Sequence, residues 1–487
     1  MRGARTRRRP VVRALIGMGA ITSLVACAGG DPADSDGTPS STGPAATVIG
    51  PSSSVPPSTP PPTASEPDGP RWVEGDSDEL FDQDSLHTFE IDLPADALER
   101  LDANPAAEAY EVGRLTFDGE VVEPIGVRYK GSVGAFVGCT ASPSMLAPTG
   151  PKTCTKLSMK LKIDWDDPDR EFFGQRRIQL HAQNLDGTLM HERLGYWLFR
   201  EMGVPAPRST HARVIVNGEY LGVFALTEEI DGRFTRSRFS DGTGNLYKEV
   251  WPIRSDGSPR SEEDLLAGLE TNEDEDPSAE IISSFAEALV AAPVDERVAV
   301  IEQWTDIRTL LTTIVVDRAI RHDDGPLHWY CMPECEPHNF YWYENPTDRT
   351  VTLIPWDLDN AFDALVPGSG VGSFISIGDP WGSITNDCQP FPFGAFNLPQ
   401  RSAACDPLLG ALATLDDEFD QIRAALIEGP FSDERVNEQL DTWAEQITPA
   451  VAEAAAAHDD APRVEAWTAS IETLKRALET SRAGTGR

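Results

Sequence analysis

Two short acidic segments carry the side chains best suited to chemistry. One is His322-Asp323-Asp324-Gly325, just past an apolar helical run; the other is Ile354-Pro355-Trp356-Asp357-Leu358-Asp359, just past a strand-like run. Between them stands His338-Asn339-Phe340-Tyr341. Carboxylate and amide oxygens are hard donors that suit Mg2+, which binds one or two carboxylates together with substrate phosphates. A further carboxylate can accept the proton of an attacking hydroxyl. Two acidic loops flanking a hairpin therefore have the composition of a metal–nucleotide site, although loop aspartates also serve as turn and cap residues. His328, Cys331, Cys335 and His338 form a second pattern, with spacing compatible with zinc. The better reading of the same cysteines is a 331–335 disulfide, the form an oxidising compartment favours.

The elements that must position these groups follow from periodicity. Residues 87–93 alternate polar and apolar, as a half-buried strand does. Pro94-Ala95-Asp96 then opens a short helix. Residues 113–117 and 120–122 flank Asp118-Gly119, a hairpin signal, and residues 212–216 and 219–226 flank Asn217-Gly218, a stronger one. Further strands are expected at 125–130 and 156–165, separated by a Gly- and Pro-containing loop that holds Cys139 and Cys154. Residues 191–202 form a helix with Leu194, Trp197 and Leu198 on one face, stopped by Gly203 and Pro205. From about residue 281 the pattern turns helical, with long helical stretches at 281–289, 298–321, 407–428 and 432–482. One hairpin, 339–343 with 351–356, interrupts them. A strand-rich first half and a helix-rich second half give an α+β chain with two lobes.

Charge and the amino terminus bound the setting. The 487 residues carry 79 Asp+Glu against 41 Lys+Arg, a net charge of −38. That excludes nucleic acid as the expected partner, because phosphate neutralisation needs clustered Lys and Arg; it fits solubility or a basic protein partner. Arg2, Arg5, Arg7, Arg8, Arg9 and Arg13 precede an apolar stretch, 14–25, too short to span a bilayer. Leu24-Val25-Ala26-Cys27 looks like a bacterial lipobox. Residues 1–26 are therefore expected to be a signal peptide and Cys27 the lipidated residue. Arg8-Arg9 leaves the export route open between the general and twin-arginine pathways. Residues 27–70, rich in Pro, Ser and Thr, form a linker unable to bury a core. The folded part divides into a β-rich unit, 71–235, and a helical unit, 236–487. Of seven cysteines, six remain after Cys27, namely Cys139, Cys154, Cys331, Cys335, Cys388 and Cys405. They allow about 15 connectivities, of which sequential local pairing is the simplest.

Seven segments occur in a familiar order: Arg128-Tyr129-Lys130-Gly131-Ser132, Ser158-Met159-Lys160-Leu161-Lys162-Ile163-Asp164, Asn217-Gly218-Glu219-Tyr220-Leu221-Gly222, Thr227-Glu228-Glu229-Ile230-Asp231, Gly244-Asn245-Leu246-Tyr247-Lys248, and the 338–341 and 354–359 segments above. Through them the chain resembles the CotH family of spore-coat atypical protein kinases. The resemblance implies an atypical protein-kinase-like two-lobe fold, with a β-rich N-lobe and a helical C-lobe. It implies transfer of the ATP γ-phosphate to Ser/Thr of a protein acceptor, with Mg2+ or Mn2+. Carried over, Lys160 binds the nucleotide phosphates with Glu192 as its partner, as the lysine–glutamate pair does in ordinary kinases. Arg128 joins the nucleotide-binding set, and Glu228 sits at the hinge near the adenine. Asp323 is the catalytic base. Asp357 holds Mg2+, with Asn339 and Asp359 as further ligands.

Alternatives stand beside these roles. Lys156 and Lys162 share the side of the strand that Lys160 occupies. Asp324 can take the place of Asp323, Glu192 can serve helix N-terminal electrostatics, and Glu228 can be a simple loop acid. The chain also departs from the family pattern. Gly131-Ser132-Val133-Gly134 stands in for a glycine-rich loop, a cysteine-bearing insert separates Asp323 from Asn339, and Asp363 occupies a place where the family often has Gly. The expected setting is the outer face of the bacterial cytoplasmic membrane, with the lipid as the only membrane contact and a Ser-rich, basic protein as acceptor. The competing class is a non-catalytic surface-binding protein, an adhesin with the same fold.

Overall fold

The computed structural model describes residues 77–131, 134–142, 148–273, 277–366, 376–394 and 397–483. The signal peptide, Cys27, the linker, and Ser132 and Val133 of the glycine-bearing loop lie outside the described residues.

Seven strands close into a barrel: β1 His87–Asp92, β2 Glu111–Phe117, β3 Glu120–Tyr129, β4 Met159–Lys162, β5 Arg177–His181, β6 Ser209–Val216 and β7 Glu219–Thr227. Their order is β1-β2-β3-β4-β5-β7-β6, and parallel pairing of β1 with β6 (Phe89 opposite Val214) shuts the ring. Alternation decides which side chains face in. Phe89, Ile91, Leu115, Phe117, Leu161, Leu180, Val214 and Leu226 fill the interior, each at 2 % exposure or less, and burial of such a side chain contributes about 1.5–3 kcal/mol. The opposite face of β3, β4, β5 and β7 is polar. Arg128, Lys160, Gln179 and Thr227 form one register row across it. Asp118-Gly119 has φ of +47° and +96°, and Asn217-Gly218 +48° and +80°, the conformation that two-residue hairpins need and that Asn, Asp and Gly tolerate.

The expected elements are present with altered limits. The residues placed in a strand at 125–130 continue β3 without a break, and the 156–165 strand shrinks to Met159–Lys162. The strand β5 was not anticipated. The helix His191–Glu201 runs between β5 and β6 and packs into a second core, with Leu194, Tyr196, Leu198 and Phe199 fully buried.

That second core holds the rest of the chain. The three-stranded sheet β12-β11-β8 is built from β8 Leu246–Lys248, β11 Phe340–Asn345 and β12 Thr350–Pro355. A small sheet, β10-β9-β14-β13, joins β9 Trp329–Cys331, β10 Cys335–Glu336, β13 Phe391–Phe393 and β14 Leu398–Arg401. The helical stretch expected at 298–321 is two helices, Arg297–Trp304 and Ile307–Ile320. Asp306 splits it by capping the second one, accepting from the Arg308 and Thr309 N–H groups at 3.0 and 3.1 Å. The 407–428 stretch divides into Pro407–Leu412 and Asp416–Glu428, and the 432–482 stretch into Asp433–Ala457 and Val464–Ala483. The last two helices close back on the barrel. Tyr220 Oη donates to the Ala450 carbonyl at 3.0 Å, Arg213 pairs with Glu453 at 2.8 Å, and Trp467 Nε1 donates to the Thr188 carbonyl at 2.8 Å. Disulfides join Cys139 to Cys154, Cys331 to Cys335 and Cys388 to Cys405, the sequential local pairing. Among the described residues no helix is long and apolar enough to cross a membrane.

Candidate active site

A cleft lies between the polar face of the barrel and the turns that follow β12 and the Ile307–Ile320 helix. Its acidic wall is made of Glu249, Asp324, Asn339, Asp357, Asp359 and Asn360. The β11–β12 hairpin sets two of these. Asn339, just before β11, has φ +58°, and Asp357, just after β12, has φ +54°. Both are left-handed conformations uncommon outside Gly and Asn/Asp. The Asp357 backbone is clamped from two directions. Its N–H donates to Tyr196 Oη at 3.0 Å, on the His191–Glu201 helix, and its carbonyl accepts from His322 Nε2 at 3.1 Å. His322 Nδ1 donates in turn to Asp317 Oδ2 at 3.0 Å. Asp317, itself raised by burial, and His322 share a proton across this contact. Burial alone would lower the His322 pKa, but the Asp317 carboxylate, Asp324 and the Asp357 carbonyl raise it.

Asp324 is 2 % exposed. Burial pushes its pKa up to about 7; Asp357 and Glu249 add to the rise, against His322 and Tyr330. Asn339 Nδ2 donates to the Asp324 carbonyl at 2.9 Å and to Asp324 Oδ2 at 3.1 Å, and Tyr330 Oη donates to Oδ1 at 3.3 Å. Asp359 is raised well above the carboxylate range by burial, then by Asp357, Glu192, Asp324 and Asp363. Glu249 is raised by burial and Asp357, against Lys248 and the Asn339 N–H. Packing this much acid around one space costs free energy unless a proton or a cation enters.

The basic wall belongs to the barrel. Lys130 Nζ donates to Gln179 and lies 2.9 Å from His181 Nε2; His181 Nδ1 faces both oxygens of Glu192 at 2.8 Å. An ammonium can only donate, so Nε2 accepts and Nδ1–H is the proton given to Glu192. Glu192 also accepts from Thr227 Oγ1 at 2.7 Å. Burial would raise the Glu192 pKa, but His181, Thr227 and Lys130 hold it below its ordinary value. Asp186 fixes the start of this helix, accepting the His191 N–H at 2.8 Å and the Thr188 N–H at 2.7 Å. Trp356, directly before Asp357, closes the gap between the walls, its ring 5.4 Å from Lys130 Nζ.

Of the residues singled out from sequence, Glu192, Asn339, Asp357 and Asp359 meet in this cleft. Four do not line it. Lys160 pairs with Glu229 at 3.0 Å, and the cation that reaches the Glu192 network is Lys130. Arg128 pairs with Glu108 at 2.8 Å. Glu228 is gripped by Arg208 at 2.6 Å and Arg238 at 2.7 Å. Asp323 turns away, chelated by Arg321 and accepting the Ile377 N–H at 3.1 Å, so Asp324 is the carboxylate on the cleft. Lys156 donates to the Val223 carbonyl at 2.9 Å, outside this wall. His338 stacks on Tyr330, centroids 4.3 Å apart, and the neighbouring cysteines form their disulfide. Sequence reasoning assigned no role to Lys130, His181, Gln183, Glu249 or Asn360. The alternation of Arg177-Ile178-Gln179-Leu180-His181 was the available signal for His181, because it places Gln179 and His181 on the polar face.

The donor set fits a hard divalent cation bound with a phosphate ligand. No protein donor reaches the Asp357 carboxylate among the described residues, and Asn339, with Nδ2 committed to Asp324, has Oδ1 left over. Among the described residues no three His, Cys, Asp or Glu side chains stand close enough to hold an ion by themselves. That is compatible with Mg2+, which takes few protein ligands and completes its octahedron with phosphate and water.

A family model described as CotH kinase protein matches residues 127–483, well over half of the chain. The chain is 22% identical to the inner spore coat protein H of Bacillus subtilis (strain 168) over 205 residues, 41% of this chain and 53% of that protein. It is 33% identical to the inner spore coat protein H-like protein of the same organism over 63 residues, 13% of this chain and 20% of that one. The chain thus spans about half the length of the first and a fifth of the second. Two solved structures overlap with it more loosely. One is the HipA, HipB and operator DNA complex of Shewanella oneidensis MR-1, at 12% identity and TM-score 0.28, covering 76% of this chain and 74% of that one. The other is the Helicobacter pylori proinflammatory kinase CtkA, at 11% identity and TM-score 0.22, covering 64% and 94%.

Proposed function

Because the chain belongs to the CotH kinase family, we propose that it transfers the γ-phosphoryl group of ATP to a Ser/Thr hydroxyl of a protein acceptor. The barrel and the helical remainder act as the N-lobe and C-lobe of a kinase-like fold. The observation that carries the reading is the cleft itself, with Asp324, Asn339, Asp357 and Asp359 on one wall and Lys130, tied through His181 to Glu192, on the other. Phosphoryl transfer asks for little more than positioning and charge neutralisation. Asp357, with Asn339 Oδ1 and Asp359, would hold Mg2+ or Mn2+, which supplies neutralisation of phosphate charge.

Asp324 takes the base role in place of Asp323. It accepts the proton of the acceptor hydroxyl as that oxygen bonds to phosphorus and the bond to the β,γ-bridging oxygen breaks. A carboxylate at about 7 is matched to proton transfer near neutral pH. Lys130 takes the phosphate role given to Lys160, with His181 inserted where ordinary kinases pair lysine directly with glutamate. Export, lipid attachment at Cys27 and a Ser-rich, basic acceptor complete the proposal; the Leu24-Val25-Ala26-Cys27 segment supports the first two, and relatives described as spore coat proteins together with a net charge of −38 support the third.

The test compares Asp324→Asn with Asp323→Asn for transfer of labelled γ-phosphate to a basic, Ser-rich protein. Loss of about 10²-fold or more is expected for Asp324→Asn, with Asp323→Asn retaining transfer. The opposite ranking would return the base to Asp323. Transfer by neither variant and none by the parent would favour the surface-binding protein instead.

A further inference from the structure

Gln183 lines the same cleft, in the segment that leaves β5. It is 7 % exposed, and neither Nε2 nor Oε1 has a hydrogen-bond partner among the described residues. Its backbone holds a left-handed φ of +55°, unusual for a side chain of this size. A buried amide with both ends unmet costs free energy that an apolar residue of similar shape would not. Buried polar groups in native folds have partners, so a vacant amide on a cleft wall marks a place where a ligand supplies them. The surroundings specify the ligand. Gln183 leaves the barrel two residues after His181 and lines the same cleft as Lys130, Gly131 and Gly134, together with the carboxylates Asp324, Asp357 and Asp359. A ligand there presents oxyanions to the lysine side. A polyphosphate does so, and an amide N–H beside an ammonium is a natural second donor to it.

We propose that Gln183 is a phosphate-contact residue, donating through Nε2 to the polyphosphate of the bound nucleotide, while Oε1 takes a water or hydroxyl of the same ligand. This deepens the kinase reading and rests on it. It also accounts for the unmet amide, which trades stability for binding.

The distinguishing signature is a pair of effects with opposite signs. In the full chain, Gln183→Met keeps the length of the side chain and removes both unmet groups. The melting temperature without ligand should rise by about 1–3 °C. Affinity for Mg–ATP and for inorganic tripolyphosphate, measured by calorimetry, should fall together by about tenfold or more, with affinity for adenosine unchanged. Gln183→Glu, of the same shape but negative, should weaken both phosphate ligands further. A Met variant that is less stable yet binds both phosphates as the parent does would show a structural amide and overturn the proposal. Loss of adenosine binding with tripolyphosphate unaffected would overturn the phosphate assignment. If the parent itself bound neither phosphate, the kinase reading would fall, and this proposal with it, by a result unlike the other two.

Discussion

At the level of single side chains, Lys130 and Lys160 lead to opposite outcomes. Lys130→Met removes the cation bonded to His181 and should cut phosphoryl transfer by about tenfold or more. Lys160→Met removes the 3.0 Å ion pair with Glu229 and should cost about 1–3 kcal/mol of stability while transfer persists. Steady-state rates and thermal unfolding of the two variants separate them; a reversed pattern would restore Lys160 to the phosphate role. Asp324 makes a second, pH-dependent case. Its folded pKa of about 7 stands above the ordinary value of 3.8. Between those values the folded state binds more protons than the unfolded state, so stability falls as pH rises from about 4 to 7. His322, also raised when folded, contributes stability below its unfolded pKa and loses it as pH climbs through the folded value, the same direction. Asp324→Asn should therefore be more stable than the parent at pH 8 in the absence of metal, by up to about 4 kcal/mol, and melt higher. The two proteins should converge near pH 4. Equal melting temperatures at pH 8 would mean that Asp324 is not held up by its surroundings.

At the level of elements, the motif glycine Gly244 explains itself. A Cβ there would stand 1.9 Å from the Glu344 carbonyl oxygen, because β8 enters its sheet pressed against the end of β11. Gly244→Ala should destabilise by about 3 kcal/mol or more, seen as a drop in melting temperature and in soluble yield; a neutral result would mean that the three-stranded sheet is placed wrongly. Much of this architecture was legible in the sequence. The turns at Asp118-Gly119 and Asn217-Gly218 fixed two hairpins, since few residues tolerate that backbone, and the Leu194, Trp197 and Leu198 spacing fixed the Glu192 helix. Barrel closure was not legible, because parallel pairing of β1 with β6 joins segments more than a hundred residues apart. Long helical stretches were broken by local caps such as Asp306, which hydrophobic periodicity does not register. Choosing between Asp323 and Asp324, or between Lys130 and Lys160, needed side-chain direction. Two aspartates, or two lysines from neighbouring strands, differ in partner, not in type, and Arg321 and Glu229 pair with the two that were named.

At the level of the whole molecule, two hydrophobic cores are tied together by the helices Asp433–Ala457 and Val464–Ala483, and three disulfides brace local loops. The Cys139–Cys154 bridge closes a loop with a sequence separation of 15, between the glycine-bearing segment and β4, and constraint of that length contributes about 3 kcal/mol in the loop-entropy picture. The Cys139→Ser/Cys154→Ser double variant should melt several degrees lower under non-reducing conditions, and a reductant should erase the difference. The strong negative charge should make capture of a basic acceptor salt-dependent. All of this serves one claim, that the acid-lined cleft moves a phosphoryl group. The most direct measurement is incubation of the full chain with γ-labelled ATP, Mg2+ and a basic Ser-rich acceptor, beside Asp357→Asn. The account predicts label on the acceptor with the parent and none with Asp357→Asn; label from both alike, or from neither, would contradict it.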